Sequence, residues 1–127
     1  MFLLVLCLLI TATPIGVSDK YSRSYHQEVK VVMNTSWYGP GFHGRMTASG
    51  AIFDQGKSTA AHKTLGFGTI LILTNPANGK IALARVTDRG PYILGRDLDV
   101  SWRVADMLGM IETGVTYLHV YIVGGHD

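Results

Sequence analysis

Two β-rich runs, 69–74 and 80–87, are joined by Asn75-Pro76-Ala77-Asn78-Gly79, and this pairing limits the fold more than any other feature of the sequence. Asn-Gly between strand-forming runs is a hairpin signal, because both residues tolerate the positive φ that a tight turn demands. The centre of the chain is thereby committed to antiparallel sheet. Further strand-like runs occur at Val29 to Met33, Arg96 to Val100 and Val115 to Val123. Ser101 is placed to cap a helix over Trp102 to Leu108, with Val104, Ala105 and Leu108 on one stripe and Gly109 near its end. The sum is a mainly all-β domain of about six strands with one short helix, which a small barrel accommodates best.

A chain of 127 residues supports one domain with a modest core. A hydrophobic content of 47% against 16% charged residues argues for a folded chain rather than a disordered one. The formal net charge is only +2 and no Lys/Arg run exists, so nucleic acid is not an expected partner. Met1 to Ile10 is almost wholly apolar, yet shorter than the roughly 20 residues of a membrane span. With the small and turn-forming residues that follow, it reads as a signal peptide over 1–18 and implies export. Residues 19–34 read as an N-terminal arm and 35–124 as the compact domain. Cys7 is the only cysteine, so neither an intramolecular disulfide nor a Cys-based zinc site is available.

The chemistry concentrates at Arg85-Val86-Thr87-Asp88-Arg89-Gly90-Pro91-Tyr92. A strand here delivers Asp88 into a turn opened by Gly90-Pro91. Strict alternation along the strand puts Asp88 on the face of Val86, against an apolar wall. Burial there raises a carboxyl pKa and suits it to proton transfer. The simpler alternative is an aspartate that begins a turn and bonds its own backbone. Upstream, Ser36 to Gly44 spaces Trp37, Tyr38 and Phe42 with glycines and a proline, so flat rings sit in loop chemistry suited to stacking on sugars. Trp102 and Tyr117 read instead as core residues. His43, His62 and Asp88 lack the local spacing of a zinc motif, and neither metal nor cofactor is expected.

The segments SWYGPGFHGRMTASG, TAAHKTLGFGT, NPANGK, VTDRGPY and GRDLDVS follow in the order and approximate spacing of rare-lipoprotein-A-like domains. The stretch from about 35 to 124 resembles that family. The resemblance implies a six-stranded double-psi β-barrel and a bacterial peptidoglycan lytic transglycosylase. Such an enzyme cleaves the β-1,4 bond between N-acetylmuramic acid and N-acetylglucosamine through the muramoyl C6 hydroxyl, leaving a 1,6-anhydro end. An intramolecular nucleophile removes the need for a second carboxylate to activate water. By the same resemblance Asp88 is the acid/base and His62 a second catalytic residue in its cleft, to orient Asp88 or bind the acetamido group; Trp37, Tyr38, Phe42, Tyr92, Arg89 and Asp54 are the candidates for contacting the glycan. The expected partner is the glycan strand, the expected location the periplasm or cell envelope. The mature form is expected to be a monomer without a stable membrane span.

Two positions depart from the family pattern. Many members carry a glutamate where this chain has Ala51, and a proline where it has Gly66. Alanine can neither move a proton nor stabilise a cation, so a non-catalytic, expansin-like glycan-binding or wall-loosening module is an alternative. A third is a conventional glycan hydrolase acting through Asp54 and Asp88.

Overall fold

The computed structural model describes residues 30–124; the signal-peptide segment 1–18, Cys7 and arm residues 19–29 lie outside them. The elements are β1 (Lys30–Trp37), β2 (Thr59–His62), β3 (Ile70–Thr74), β4 (Ile81–Asp88), β5 (Leu98–Val100), α1 (Trp102–Met107) and β6 (Val115–Val123). The strands close into a barrel in the order β1-β5-β2-β4-β3-β6. β1 begins at Lys30 and pairs with β6 from that residue onward, so 30–34 belong to the barrel rather than to the arm.

Alternation builds the core. Leu71 and Leu73 of β3, Ala82, Ala84 and Val86 of β4, and Leu118 and Val120 of β6 point inward, and each is almost fully buried. The same rule turns Tyr117 outward, 63% exposed, because its neighbour Leu118 faces in. Trp102 is also exposed, because α1 buries the stripe of Val104 and Ala105, followed by Leu108, against the barrel. Neither aromatic is the core residue that the sequence suggested. Ser101 caps the helix as expected, its hydroxyl accepting from Val104 N–H at 3.3 Å.

The predicted hairpin is present, with Gly79 at φ +75° and Asn75 N–H bonded to Lys80 O at 2.9 Å. Its two asparagines do more than turn the chain. The side-chain amides of Asn75 and Asn78 both donate to Leu108 O, at 2.9 and 3.0 Å, and satisfy a carbonyl left open at the end of α1.

Two of the six strand pairings are parallel, β1 with β5 and β2 with β4; the others are antiparallel. Loops 38–58 and 89–97 join β1 to β2 and β4 to β5, strands that are not neighbours in the barrel. The first leaves the end of β1 and the second the end of β4, and both reach Asp88, through Tyr38 and Ala48 of the one and Arg89 of the other. Asn75→Ala removes a buried amide and leaves Leu108 O with one donor. It should cost about 1–3 kcal/mol in chemical denaturation without changing what the folded fraction does.

Candidate functional site

The site begins with a fault in the sheet. Ala60 pairs with Val86, but Ala61 pairs with Asp88, so β4 passes Thr87 without a partner on β2. Adjacent residues of β2 face opposite sides, and Ala60 faces the core. Asp88 therefore follows Ala61 outward, away from Val86. A bulge of this kind re-aims a side chain at the edge of a regular ladder. The expectation that Asp88 shares a face with Val86 is corrected by this slip.

The register then lays out a row. Asp88 of β4 stands beside Ala61 of β2, Ala61 beside Asp99 of β5, and Asp99 beside Ser36 of β1. The two aspartates are thus two strands apart, about 10 Å between backbones, with only a methyl side chain between them. Loops 38–58 and 89–97 enclose the row as a groove. One part, of about 210 Å³, is lined by Tyr38, Phe42, Arg45, Met46, Thr47, Phe53 and Asp88. The adjoining part, of about 250 Å³, runs from Tyr38, Phe42 and Asp88 past Ala61 and Asp99 to Tyr92 and Ile93.

Asp88 sits where the two parts meet. One carboxylate oxygen accepts Tyr38 Oη–H at 2.9 Å, and the other accepts the backbone N–H groups of Ala48 at 2.9 Å and Arg89 at 2.8 Å. All three bonds are donated to it. Tyr38 is held by its ring, 4.5 Å from Phe53 and edge-on to Phe42 at 5.6 Å. Burial, and then the bond to Asp88, push the Tyr38 phenol well above its usual range, so it stays a donor.

Asp99 was missed in the reading of the sequence, although it lies inside a quoted motif. Leu98 and Val100 on either side of it are fully buried, which forces Asp99 to the opposite face. Burial pushes its carboxyl up to about 6; the Ser36 hydroxyl, at 3.2 Å, and Arg96 oppose this, and Asp88 adds to it. A carboxyl that titrates near 6 can hold a proton and release it at physiological pH.

The remaining candidates divide. Phe42 is in the groove, and Tyr92, 80% exposed, stands on its rim. Trp37 is half-buried against the core and lines neither part of the groove. Arg89 borders the groove, but its guanidinium donates to the carbonyls of His62 and Leu65 and lies 4.0 Å over the Phe67 ring. His62 makes no hydrogen bond to Asp88: its Nδ1 accepts Thr64 and Leu65 N–H at 3.1 and 3.0 Å, fixing a turn and leaving Nε2 as the protonated nitrogen. Burial, then Arg89, lower its pKa, with Asp97 opposing. Asp54 is outside the groove, accepting Gly56 N–H at 2.8 Å and lying 3.9 Å from His43. Among the described residues no three His, Cys, Asp or Glu side chains gather as a metal site, and no helix is long and apolar enough to cross a membrane.

A closed barrel of six strands with parallel and antiparallel pairs, carrying an acidic groove under two crossing loops, defines a double-psi β-barrel protein. Solved structures agree on the fold. An expansin from Clavibacter michiganensis superposes with a TM-score of 0.61 over 78% of this chain and 52% of its own, at 18% identity. The Streptomyces papain inhibitor gives 0.60 over 76% of this chain and 96% of its own, at 16% identity. Residues 30–120 match the family described as lytic transglycolase, and the chain belongs to that family.

Among the relatives that carry the name endolytic peptidoglycan transglycosylase RlpA are proteins from Aquifex aeolicus and Campylobacter jejuni. The one from Aquifex aeolicus, styled probable, is 49% identical over 96 residues, which is 76% of this chain and 38% of that protein. The one from Campylobacter jejuni is 40% identical over 119 residues, 90% of this chain and 42% of that protein. The chain thus spans about two fifths of the length of these relatives.

Asp99 offers a test that needs no substrate. Its folded pKa of about 6 lies above the unfolded value of about 4. The stability it contributes is therefore full below about pH 4 and lost as pH rises through about 6. Asp99→Asn cannot ionise and escapes that loss. It should gain about 1–3 kcal/mol relative to the parent between about pH 4 and pH 7 in urea denaturation. The lowered pKa of His62 acts the other way, costing stability as pH falls below about 6.5. It does so equally in both proteins and drops out of the difference. A gap between the two proteins that does not change with pH would contradict the burial of Asp99.

Proposed function

We propose that this protein is a peptidoglycan lytic transglycosylase, cleaving the N-acetylmuramoyl-β-1,4-N-acetylglucosamine bond and leaving a 1,6-anhydromuramoyl end. The observation that carries this reading is the pair of unlike carboxyls in one row. Asp88 receives three donated hydrogen bonds, and Asp99 is half-buried with a pKa of about 6. Two carboxyls whose surroundings differ in this way divide proton transfer between them. Family membership over residues 30–120 and the names of the relatives supply the reaction class.

In this mechanism Asp99 protonates the glycosidic oxygen as the bond from the muramoyl C1 breaks. The C6 hydroxyl of the same sugar closes on C1 and gives its proton to Asp88. One proton leaves Asp99 and one reaches Asp88, and it returns between turnovers. No water enters, because the nucleophile is already tethered beside the reacting carbon. Tyr38 steadies Asp88, and Phe42 and Tyr92 offer faces for the sugar rings. Asp88 thus keeps the accepting half of the role that resemblance gave it, and Asp99 takes the donating half. His62 acts through the turn at 64–65 and through Arg89. The substrate in turn requires export to the bacterial envelope.

One observation favours a second reading, a glycan-binding module without turnover: Ala51 stands where many members of the family carry a glutamate. Mass spectrometry of purified peptidoglycan after incubation separates the two. The transglycosylase should release fragments ending in 1,6-anhydromuramic acid. Asp88→Asn and Asp99→Asn should each lower their yield at least a hundredfold, consistent with loss of general acid–base catalysis, while both variants stay folded. Full yield from Asp99→Asn would return both proton transfers to Asp88. Reducing ends would identify a hydrolase, and retention on glycan without fragments would identify the binding module.

A further inference from the structure

Beside the groove lies a separate cavity of about 300 Å³, enclosed by residues 51–54 of the long loop, 57–59 entering β2, and Arg85 and Thr87 of β4. β4 gives Thr87 to this cavity and the next residue, Asp88, to the groove. Phe53 lines both and forms the wall between them. A group seated in the cavity is thus one backbone step from the reaction centre.

The chemistry of the cavity is that of an anion site. Lys57 and Arg85 are both exposed, and among the described residues neither side chain has an ion-pair or hydrogen-bond partner. Thr59 pairs with Arg85 across β2 and β4 and lines the cavity beside it. Its buried Oγ1 has no hydrogen-bond partner, an arrangement that a fold rarely leaves unused. The single acid in the wall, Asp54, has one oxygen occupied by Gly56 N–H and close to His43. Ala51 adds neither charge nor bulk.

We propose that this cavity is a carboxylate-binding subsite, in which Arg85 and Lys57 pair with an acidic substituent of the glycan and Thr59 donates its hydroxyl. The assignment of the ligand rests on peptidoglycan being the substrate. A guanidinium matches a carboxylate with two parallel hydrogen bonds, and a lysine adds a mobile charge. N-acetylglucosamine carries no carboxylate. The muramoyl sugar carries a lactyl ether, which ends in one when unsubstituted and otherwise bears a peptide with carboxylates of its own. Seating that group beside Asp88 would fix which of the two alternating sugars presents its C1 to the groove.

The test follows Arg85 side-chain N–H and Thr59 amide signals by NMR, titrating the chain with N-acetylmuramic acid and, separately, N-acetylglucosamine. The acidic sugar should move both signals and the neutral one should not. In binding measurements, Lys57→Ala/Arg85→Ala should bind unsubstituted glycan strands about tenfold more weakly and bind a neutral chito-oligosaccharide as before. Thr59→Val should weaken the same strands several-fold with no loss of thermal stability. If peptide-bearing strands depend on Lys57 and Arg85 more than unsubstituted ones do, the carboxylate belongs to the peptide; the reverse order assigns it to the lactyl group. Fragment release with silent Arg85 signals and no effect of the double variant would overturn the subsite and leave the proposed function standing. A response to N-acetylmuramic acid without retention or cleavage of peptidoglycan would do the opposite.

Discussion

The slip of one residue between β2 and β4 is the constraint on which the site depends. With unbroken alternation, Val86 and Asp88 would share the core face, and the aspartate would be a buried charge without a partner, a costly arrangement. Passing Thr87 without a partner on β2 keeps Val86 in the core and turns Asp88 outward. There Tyr38 and the Ala48 and Arg89 amides receive it. Ordinary alternation from Arg85 already turns Thr87 to the other cavity, so two neighbouring residues serve two different compartments. The parallel pairing of β2 with β4 supports this arrangement by bringing the ends of both strands to one rim of the barrel.

Much of the barrel was legible because its strands obey simple periodicity and its turns carry their own chemistry. Asn78-Gly79 announced the β3–β4 hairpin, and Ser101 announced α1. Two aromatics were misread by treating size as evidence of burial. Tyr117 adjoins Leu118, whose inward direction fixes Tyr117 outward, and Trp102 lies off the stripe of Val104 and Ala105. The start of the barrel was placed at 35 because the stretch 19–34 is polar and mixed in composition. Polar residues are ordinary on the outer face of a strand, and pairing with β6 makes 30–34 part of β1.

The site was half legible. Asp88 and Tyr38 stood out through the turn and loop residues around them, but the bond between them joins positions 50 residues apart and could not be read from either segment. Asp99 carried a usable signal, an acid between two large apolar residues in a strand too short to be a surface ribbon. That pattern forces the carboxylate to one side of the sheet, yet what covers that side is set by loops distant in sequence. His62 and Arg89 show the converse. Their side chains look chemical in a sequence, and the structure uses them to fasten the turn at 64–65 and the end of β4.

The electrostatics of the groove follow from the same geometry. Burial holds the Asp99 carboxyl up to about 6, and the charge of Asp88 across the same cavity adds a smaller part. Their hydrogen-bond supply differs as well: Asp88 accepts from three donors, whereas Asp99 has the Ser36 hydroxyl and the field of Arg96 against a larger effect of burial. The asymmetry therefore belongs to the fold and precedes any substrate. A glutamate at position 51 would enter the wall of the other cavity, next to Lys57 and Arg85 rather than within the Asp88–Asp99 row. In the proposed mechanism Ala51 thus leaves Asp88 and Asp99 unaltered, and it leaves two cations open to an acid from outside the chain. On this reading, the departure at position 51 concerns which sugar is held, while the pairing of Asp88 with Asp99 concerns what is done to it.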